Sequence, residues 1–310
     1  MFRGTIIIGD SMKILCIGHA AYDITMPLDR FPIENTKNRV PELVECGGGP
    51  SSNGAYLLGK WGMDVHFAGI VGKDLYGERI KQEFDTIGVD TTYLEMSEEH
   101  ETTSSFIIAN KSIGSRTVLT YRPSDMKMTP VDLDFTPDII LFDGQEAELT
   151  RTYLERYPNA ISIIDAGRPK SEIVELAKLS TYVVCSKEFA ETVTGVSINY
   201  ENQQTLIDLF LKMEQMFSGE IVVTLESKGC LYKENGQIKL MPTIKVKALD
   251  STGAGDIFHG AFTYGIANQF PYEDVIKIAT IAGGLSVTKI GGRYSVPSKE
   301  EMKEMFHDFR

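Results

Sequence analysis

Between Asp250 and Phe262 the chain reads Asp-Ser-Thr-Gly-Ala-Gly-Asp-Ile-Phe-His-Gly-Ala-Phe. Gly253, Ala254 and Gly255 carry almost no side chain, so backbone N–H groups can approach a ligand closely. If a helix starts here, its first four N–H groups lack intrahelical acceptors and its dipole places positive charge at the same end, which makes a cradle for phosphate. A carboxylate at Asp256 would repel such a guest unless its task is to take a proton from a hydroxyl attacking a phosphoryl group. An acidic residue in a first helical turn is also an ordinary partner of the helix dipole. Downstream, Gly260, Ala261, Gly265 and Ala267 give the helix a small-residue flank, suited to close packing in a core.

The elements that must position this turn follow from periodicity. Ile14 to Gly18 is a continuous apolar run, read as a buried parallel strand that delivers a loop and then Asp23. Met26 to Val44, rich in Pro and charge, is expected to form extended strands away from the core. Gly47, Gly48, Gly49, Pro50 and Asn53 suggest a tight turn capping a helix that runs to Gly62. Inside that helix, Gly54 to Trp61 imitates a P-loop, but Trp61 stands where a metal-binding hydroxyl is required and a P-loop must precede its helix. Val65 to Val71 is a strand, followed by a helix on Leu75, Ile80, Phe84 and Ile87 that Gly88 ends. Thr102–Ala109 and Arg116–Tyr121 read as a hairpin.

After Pro137 apolar strands alternate with amphipathic helices, the pattern of a parallel sheet covered on both faces. Asp143, Asp165 and Arg168 fall at carboxyl ends of strands, where ligands bind in open α/β sheets and where helix caps are also common. Ile221 to Thr224 is a further buried strand, Asn235-Gly236 marks a type I′ hairpin, and Ile276 to Thr288 is a helix of small and apolar residues.

Composition narrows the partners. A 310-residue chain with 42% hydrophobic residues and no linker or repeat is expected to be one large α/β domain, with residues 1–12 as an extension ahead of it. A formal charge of −12 argues against nucleic acid or an anionic membrane as the main partner. Cys16, Cys46, Cys185 and Cys230 are dispersed, which indicates neither zinc nor disulfides and points to a reducing cytoplasm. No stretch reaches the roughly 18 apolar residues of a membrane span, and Thr5 to Ile8 are too short for a signal-peptide core.

The pattern at 250–262 resembles the carboxyl-terminal signature of the ribokinase-like (PfkB) carbohydrate kinases, and Gly47–Ala55 is similar to their Gly-Gly-x-x-x-Asn-x-Ala segment. The resemblance extends over nearly all of 13–305. It implies a three-layer Rossmann-like domain at 13–310, with a central mostly parallel sheet and a small β-sheet lid drawn from about 22–46 and 91–125. It implies phosphoryl transfer from ATP, with Mg²⁺, to a hydroxyl of a small sugar. Asp256 would be the general base, and Gly253, Ala254 and Gly255 the anion hole. Asp23, Gly48, Gly49 and Asn53, with Arg168, would hold the sugar.

Ser186, Thr224, Glu226, Gly229, Ala282 and Gly283 would line the nucleotide site. Ser186 replaces the family's Asn, and Phe189 its Glu, so Glu188 or Glu191 is left to reach Mg²⁺ through water. Glu226 stands where Gly is usual, either weakening triphosphate binding or pointing to solvent. Asp250, Thr252, Gly291 and Ser295 would surround a monovalent cation such as K⁺. An exposed lid sheet is expected to pair in a homodimer. Two other readings stand beside the sugar kinase: a nucleoside kinase of the same superfamily, and a sensor that binds sugar without turning it over.

Overall fold

The structure, a computed structural model, describes residues 11–310; the expected extension at 1–12 falls almost wholly outside them. The chain opens with β1 (Lys13–Ile17), β2 (Ala21–Leu28), β3 (Val44–Gly48), α1 (Pro50–Lys60), β4 (Asp64–Gly72), α2 (Leu75–Thr86) and β5 (Leu94–Ser97). The hairpin β6 (Ser104–Asn110) and β7 (Ser115–Tyr121) follows. Then come β8 (Ile139–Phe142), α3 (Ala147–Arg156), β9 (Ile161–Ala166), α4 (Ser171–Ala177), β10 (Tyr182–Ser186), α5 (Lys187–Thr194) and α6 (Gln203–Met216). The carboxyl-terminal part holds β11 (Glu220–Thr224), β12 (Cys230–Glu234), β13 (Gln237–Met241), α7 (Ala254–Ala267), α8 (Tyr272–Ser286) and α9 (Lys299–Met305).

Among the described residues, nine strands form one sheet in the order β13-β12-β11-β10-β9-β8-β1-β4-β5. Every pairing from β5 to β11 is parallel, and β12 and β13 join as an antiparallel hairpin at the edge. Asn235 and Gly236 both take positive φ in that hairpin's turn, as a type I′ turn demands. The two-residue period of β1 explains the layering. Ile14 and Cys16 enter the apolar cluster formed with α1, α2, α7, α8 and α9, while Leu15 and Ile17 enter the cluster on α3, α4, α5 and α6. Both faces of the sheet are therefore buried under helices.

A separate four-stranded sheet has the order β3-β2-β6-β7. Residues 29–43 form no strand, contrary to the expectation for 26–44: they are mostly exposed, carry Pro32 and Pro41, and find no neighbouring strand with which to pair. Leu94–Ser97, within the 91–125 range, pairs with β4 in the large sheet instead. No described helix is long and apolar enough to cross a membrane.

The small-residue flank of α7 places that helix between two others. A Cβ on Gly260 would lie 3.0 Å from the Gly54 Cα of α1, and one on Gly265 would meet Val275 of α8 at 3.0 Å. The backbones are as close as glycine permits. The P-loop mimic at 54–61 lies within α1 and its end, as its helical setting required.

Candidate active site

Helix α7 begins as its sequence requires. Gly253 is the N-cap, at φ 75° and ψ 0°, a left-handed conformation that glycine adopts freely, and no side chain caps the exposed N–H groups. A Cβ built on exposed Gly255 would meet nothing within 4 Å, so the helix tip opens on free space. Asp256 stands in the first turn, half-buried. Its Oδ2 accepts from Asn53 Nδ2 at 2.7 Å across 203 residues of sequence, which joins the amino-terminal glycine-rich motif to the carboxyl-terminal one. Asn53 itself is buried, and its Oδ1 has no partner among the described residues.

Asp23 comes from β2, paired with β3 so that Asp23 faces Cys46. A Cβ on Gly48 would lie 2.0 Å from Asp23 Oδ2, and one on Gly49, at φ 99°, would lie 2.2 Å from His19 O. These two glycines let the strand end approach the carboxylate and the β1 loop. Burial pushes the Asp23 carboxyl up to about 7; a hydrogen bond with Ser105 opposes the rise, Asp256 and Asp250 reinforce it, and Arg293 counters it. Near neutrality Asp23 is thus able to donate as well as accept, which suits a hydroxyl partner.

Asp250 is 1% exposed. Its Oδ1 accepts from Thr252 N at 2.9 Å and Thr252 Oγ1 at 2.6 Å, while Oδ2 accepts from Gly291 N at 3.0 Å. Ser295 Oγ donates to Gly292 O at 2.7 Å in the same loop. No Lys, Arg or His among the described residues pairs with this buried carboxylate, so the chemistry of the pocket fits a small cation.

Strand-end residues divide. Asp143 is a brace: Oδ2 accepts from His19 N at 2.9 Å and Ser51 N at 3.1 Å, Oδ1 from Gln145 N at 2.9 Å, and burial still pushes its carboxyl up. Asp165 pairs with His259 of α7 at 3.2 Å, and burial raises its carboxyl against that pairing. Arg168 is exposed, and no side-chain hydrogen bond among the described residues joins it to Asp23, Asn53 or Asp256.

The remaining predicted residues lie around β10, β11 and α8. Ser186 caps α5 by accepting from Phe189 N at 3.0 Å and donates to Gly167 O at 2.6 Å. Thr224 Oγ1 donates to Cys185 O at 3.2 Å. Glu226 is exposed at φ 52°, a left-handed backbone conformation that favours glycine. Gly229, at φ 96°, is fixed by space: a Cβ would lie 1.9 Å from Met241 O. Ala282 is buried, and a Cβ on Gly283 would lie 3.2 Å from Ala254 O, beside the helix tip. Glu188 is exposed, whereas Glu191 accepts from Ile198 N at 2.7 Å and faces Lys187 at 3.7 Å. Among the described residues, no group of three or more His, Cys, Asp or Glu could hold a metal on its own.

Three residues of the site escaped sequence reasoning. Arg293, 1% exposed, donates to Glu83 Oε2 at 2.7 Å and Ser52 Oγ at 2.6 Å, and a Cβ on Gly47 would collide with it at 2.3 Å. It ties the 291–295 loop to α1 and α2. His259 faces acceptors from both ring nitrogens, Gly255 O at 2.6 Å and Val184 O at 3.0 Å, bracing the first turn of α7 against β10. His19 Nδ1 lies 2.6 Å from Arg122 Nη1; burial, Arg122 and Lys170 push its imidazole down to about 3, so it stays neutral and accepts. The placement of Arg293 just after Gly291-Gly292 was the one available signal.

Residues 11–299 match the model of the pfkB family carbohydrate kinases. The chain is similar to a ribokinase of Staphylococcus aureus (strain COL), 25% identical over 304 residues that cover 94% of this chain and 99% of that one. It is similar to a nucleoside kinase of Methanocaldococcus jannaschii, 23% identical with 97% and 99% covered. The structure of Arabidopsis thaliana ribokinase complexed with ribose and ATP superposes with a TM-score of 0.78 at 19% identity, over 95% of this chain and 98% of that one. This chain belongs to the pfkB family and is a carbohydrate kinase, a phosphotransferase.

Proposed function

We propose that this enzyme uses ATP with Mg²⁺ to phosphorylate a hydroxyl of a small sugar. The observation that carries the reading is the 2.7 Å contact between Asn53 Nδ2 and Asp256 Oδ2, which sets an amide able to bind a hydroxyl beside a proton acceptor at an open helix tip. Asp256 takes the proton of the acceptor hydroxyl. The N–H groups of Gly253, Ala254 and Gly255 receive charge developing on phosphoryl oxygens. Asp23 and Asn53, with room made by Gly48 and Gly49, orient the acceptor, assisted by Arg168, which is exposed on the loop after β9. ATP supplies the phosphoryl group and Mg²⁺ the charge that screens its phosphates.

Ser186, Thr224, Glu226, Gly229, Ala282 and Gly283 border the nucleotide. The described residues offer no cage of three or more His, Cys, Asp or Glu for a divalent ion, so Glu188 and Glu191 would help hold Mg²⁺ only through water. K⁺ at Asp250, Thr252, Gly291 and Ser295 answers the buried, cation-less Asp250 carboxylate. The small sheet is a lid that keeps water from the phosphoryl group. Its similarity to the Methanocaldococcus jannaschii enzyme makes a nucleoside acceptor the second reading; the intact Asp256 opposes a sensor without turnover.

The test is a coupled ADP-release assay with MgATP over D-ribose, 2-deoxy-D-ribose, D-fructose, adenosine and inosine. Acceptor-dependent ADP formation with a sugar is expected. Turnover confined to the nucleosides would select the second reading, and none at all would overturn both.

A further inference from the structure

Strand β7 is exposed along its whole length, yet one of its side chains crosses to the phosphate-binding turn. Arg116 Nη1 donates to Ser251 Oγ at 3.0 Å, linking positions 135 residues apart. Ser251 lies between Asp250 and Thr252, at the entry to the α7 helix tip. The contact has a built seat. Gly114, at φ 70°, comes so near the chain entering that turn that a Cβ on it would stand 2.5 Å from Ala248 Cβ. The hairpin tip is closed by Gly114 N donating to Asn110 O at 2.8 Å and by Asn110 Oδ1 accepting from Ser112 N at 3.2 Å and Ser112 Oγ at 2.7 Å.

Charge sharpens the inference. Asp256 and Asp250 both lie near enough to act on Asp23, in a chain of formal charge −12, so a polyphosphate arriving here meets carboxylates. Two other arginines around the site are committed, Arg293 to Glu83 at 2.7 Å and Arg122 to Glu146 at 2.8 Å, while Arg168 is exposed on the loop after β9. Arg116 joins no ion pair among the described residues, and its single hydrogen bond leaves most of its five N–H donors free.

We propose that Arg116 is a further catalytic residue, a guanidinium carried by the small sheet that neutralises the phosphoryl group in transfer. This rests on the kinase reading above. In the step, a bond forms between the acceptor oxygen and the γ-phosphorus as the bond from that phosphorus to the β,γ-bridging oxygen breaks. The electron pair leaves with ADP and the hydroxyl proton goes to Asp256. Arg116 makes only hydrogen bonds, its planar fork facing the phosphoryl oxygens on which charge is spread. Because the sheet that covers the acceptor delivers it, full neutralisation coincides with a covered acceptor, and transfer to water is disfavoured.

The test compares the wild-type full chain with Arg116→Ala and Arg116→Lys. Calorimetric affinities are measured for MgADP and for the Mg²⁺ complex of an ATP analogue with a β,γ-imido bridge, and kcat for the acceptor the wild type turns over fastest. Arg116→Ala should bind the analogue about tenfold more weakly while MgADP affinity stays within about twofold, and its kcat should fall about 10²-fold, the order seen when one transition-state donor is removed. Arg116→Lys should recover part of both losses. Analogue affinity unchanged, or a loss shared equally by MgADP as from mere bracing of the turn, would overturn the proposal. Wild-type turnover on the panel decides the kinase reading, and the ratio of analogue to MgADP affinity decides this one.

Discussion

Asp23 carries a cost that binding must justify. Its folded carboxyl, raised by burial from 3.8 to about 7, holds a proton that the unfolded chain has already released, so folding loses stability as pH rises from about 4 to 7 and the full penalty persists above 7. Asp23→Asn removes that penalty. In thermal unfolding it should be more stable than wild type by on the order of 4 kcal/mol at pH 8, with the gain shrinking towards pH 4; a pH-independent difference would contradict the assignment. Acceptor affinity should fall in the same variant, since Asn cannot reproduce a titrating carboxyl. At this scale the sequence was most legible where backbone shape dictates residue type: Gly253, Gly49 and Gly229 all hold positive φ. Glu226 shows the converse, since a residue with a side chain holds a φ of 52° that glycine adopts more freely. Asp143 and Asp165 could not be sorted from sequence, because a carboxylate at a strand end serves equally as ligand holder or loop brace until its donors are known.

Among the elements, α7 is the one whose neighbours were written in its composition, because Gly260 and Gly265 are needed only if other backbones come close. Alternating apolar strands and helices likewise made the parallel sheet readable. The 29–43 segment misled because Pro and charge mark an exposed path without specifying a pairing partner. Arg293 was illegible for a different reason: its partner Glu83 lies 210 residues away, on α2, and no local pattern encodes such a meeting. It locks the 291–295 loop, whose Gly292 backs onto Asn53, to α1 and α2. Arg293→Ala would leave Glu83 beside a cavity, and chemical denaturation should report a loss of about 3 kcal/mol or more. A loss below about 1 kcal/mol would mean that the pair does not hold the loop.

Across the whole molecule, the small sheet presents Phe106, Leu119 and Tyr121 on one face to solvent at 45–60% exposure, an apolar face of the kind that seeks a partner. If two copies pair through it, Leu119→Asp should shift the wild-type dimer to monomer in sedimentation; an unchanged sedimentation coefficient would place the interface elsewhere. The molecule as a whole turns on one juxtaposition, Asn53 of the glycine-rich segment and Asp256 of the α7 tip brought into contact across 203 residues of sequence. The most direct measurement is kcat of Asp256→Asn with MgATP and the preferred acceptor, taken with its MgADP affinity. Turnover should fall by about 10³-fold or more while nucleotide affinity changes by less than about threefold. Turnover within tenfold of wild type would contradict the role given to Asp256.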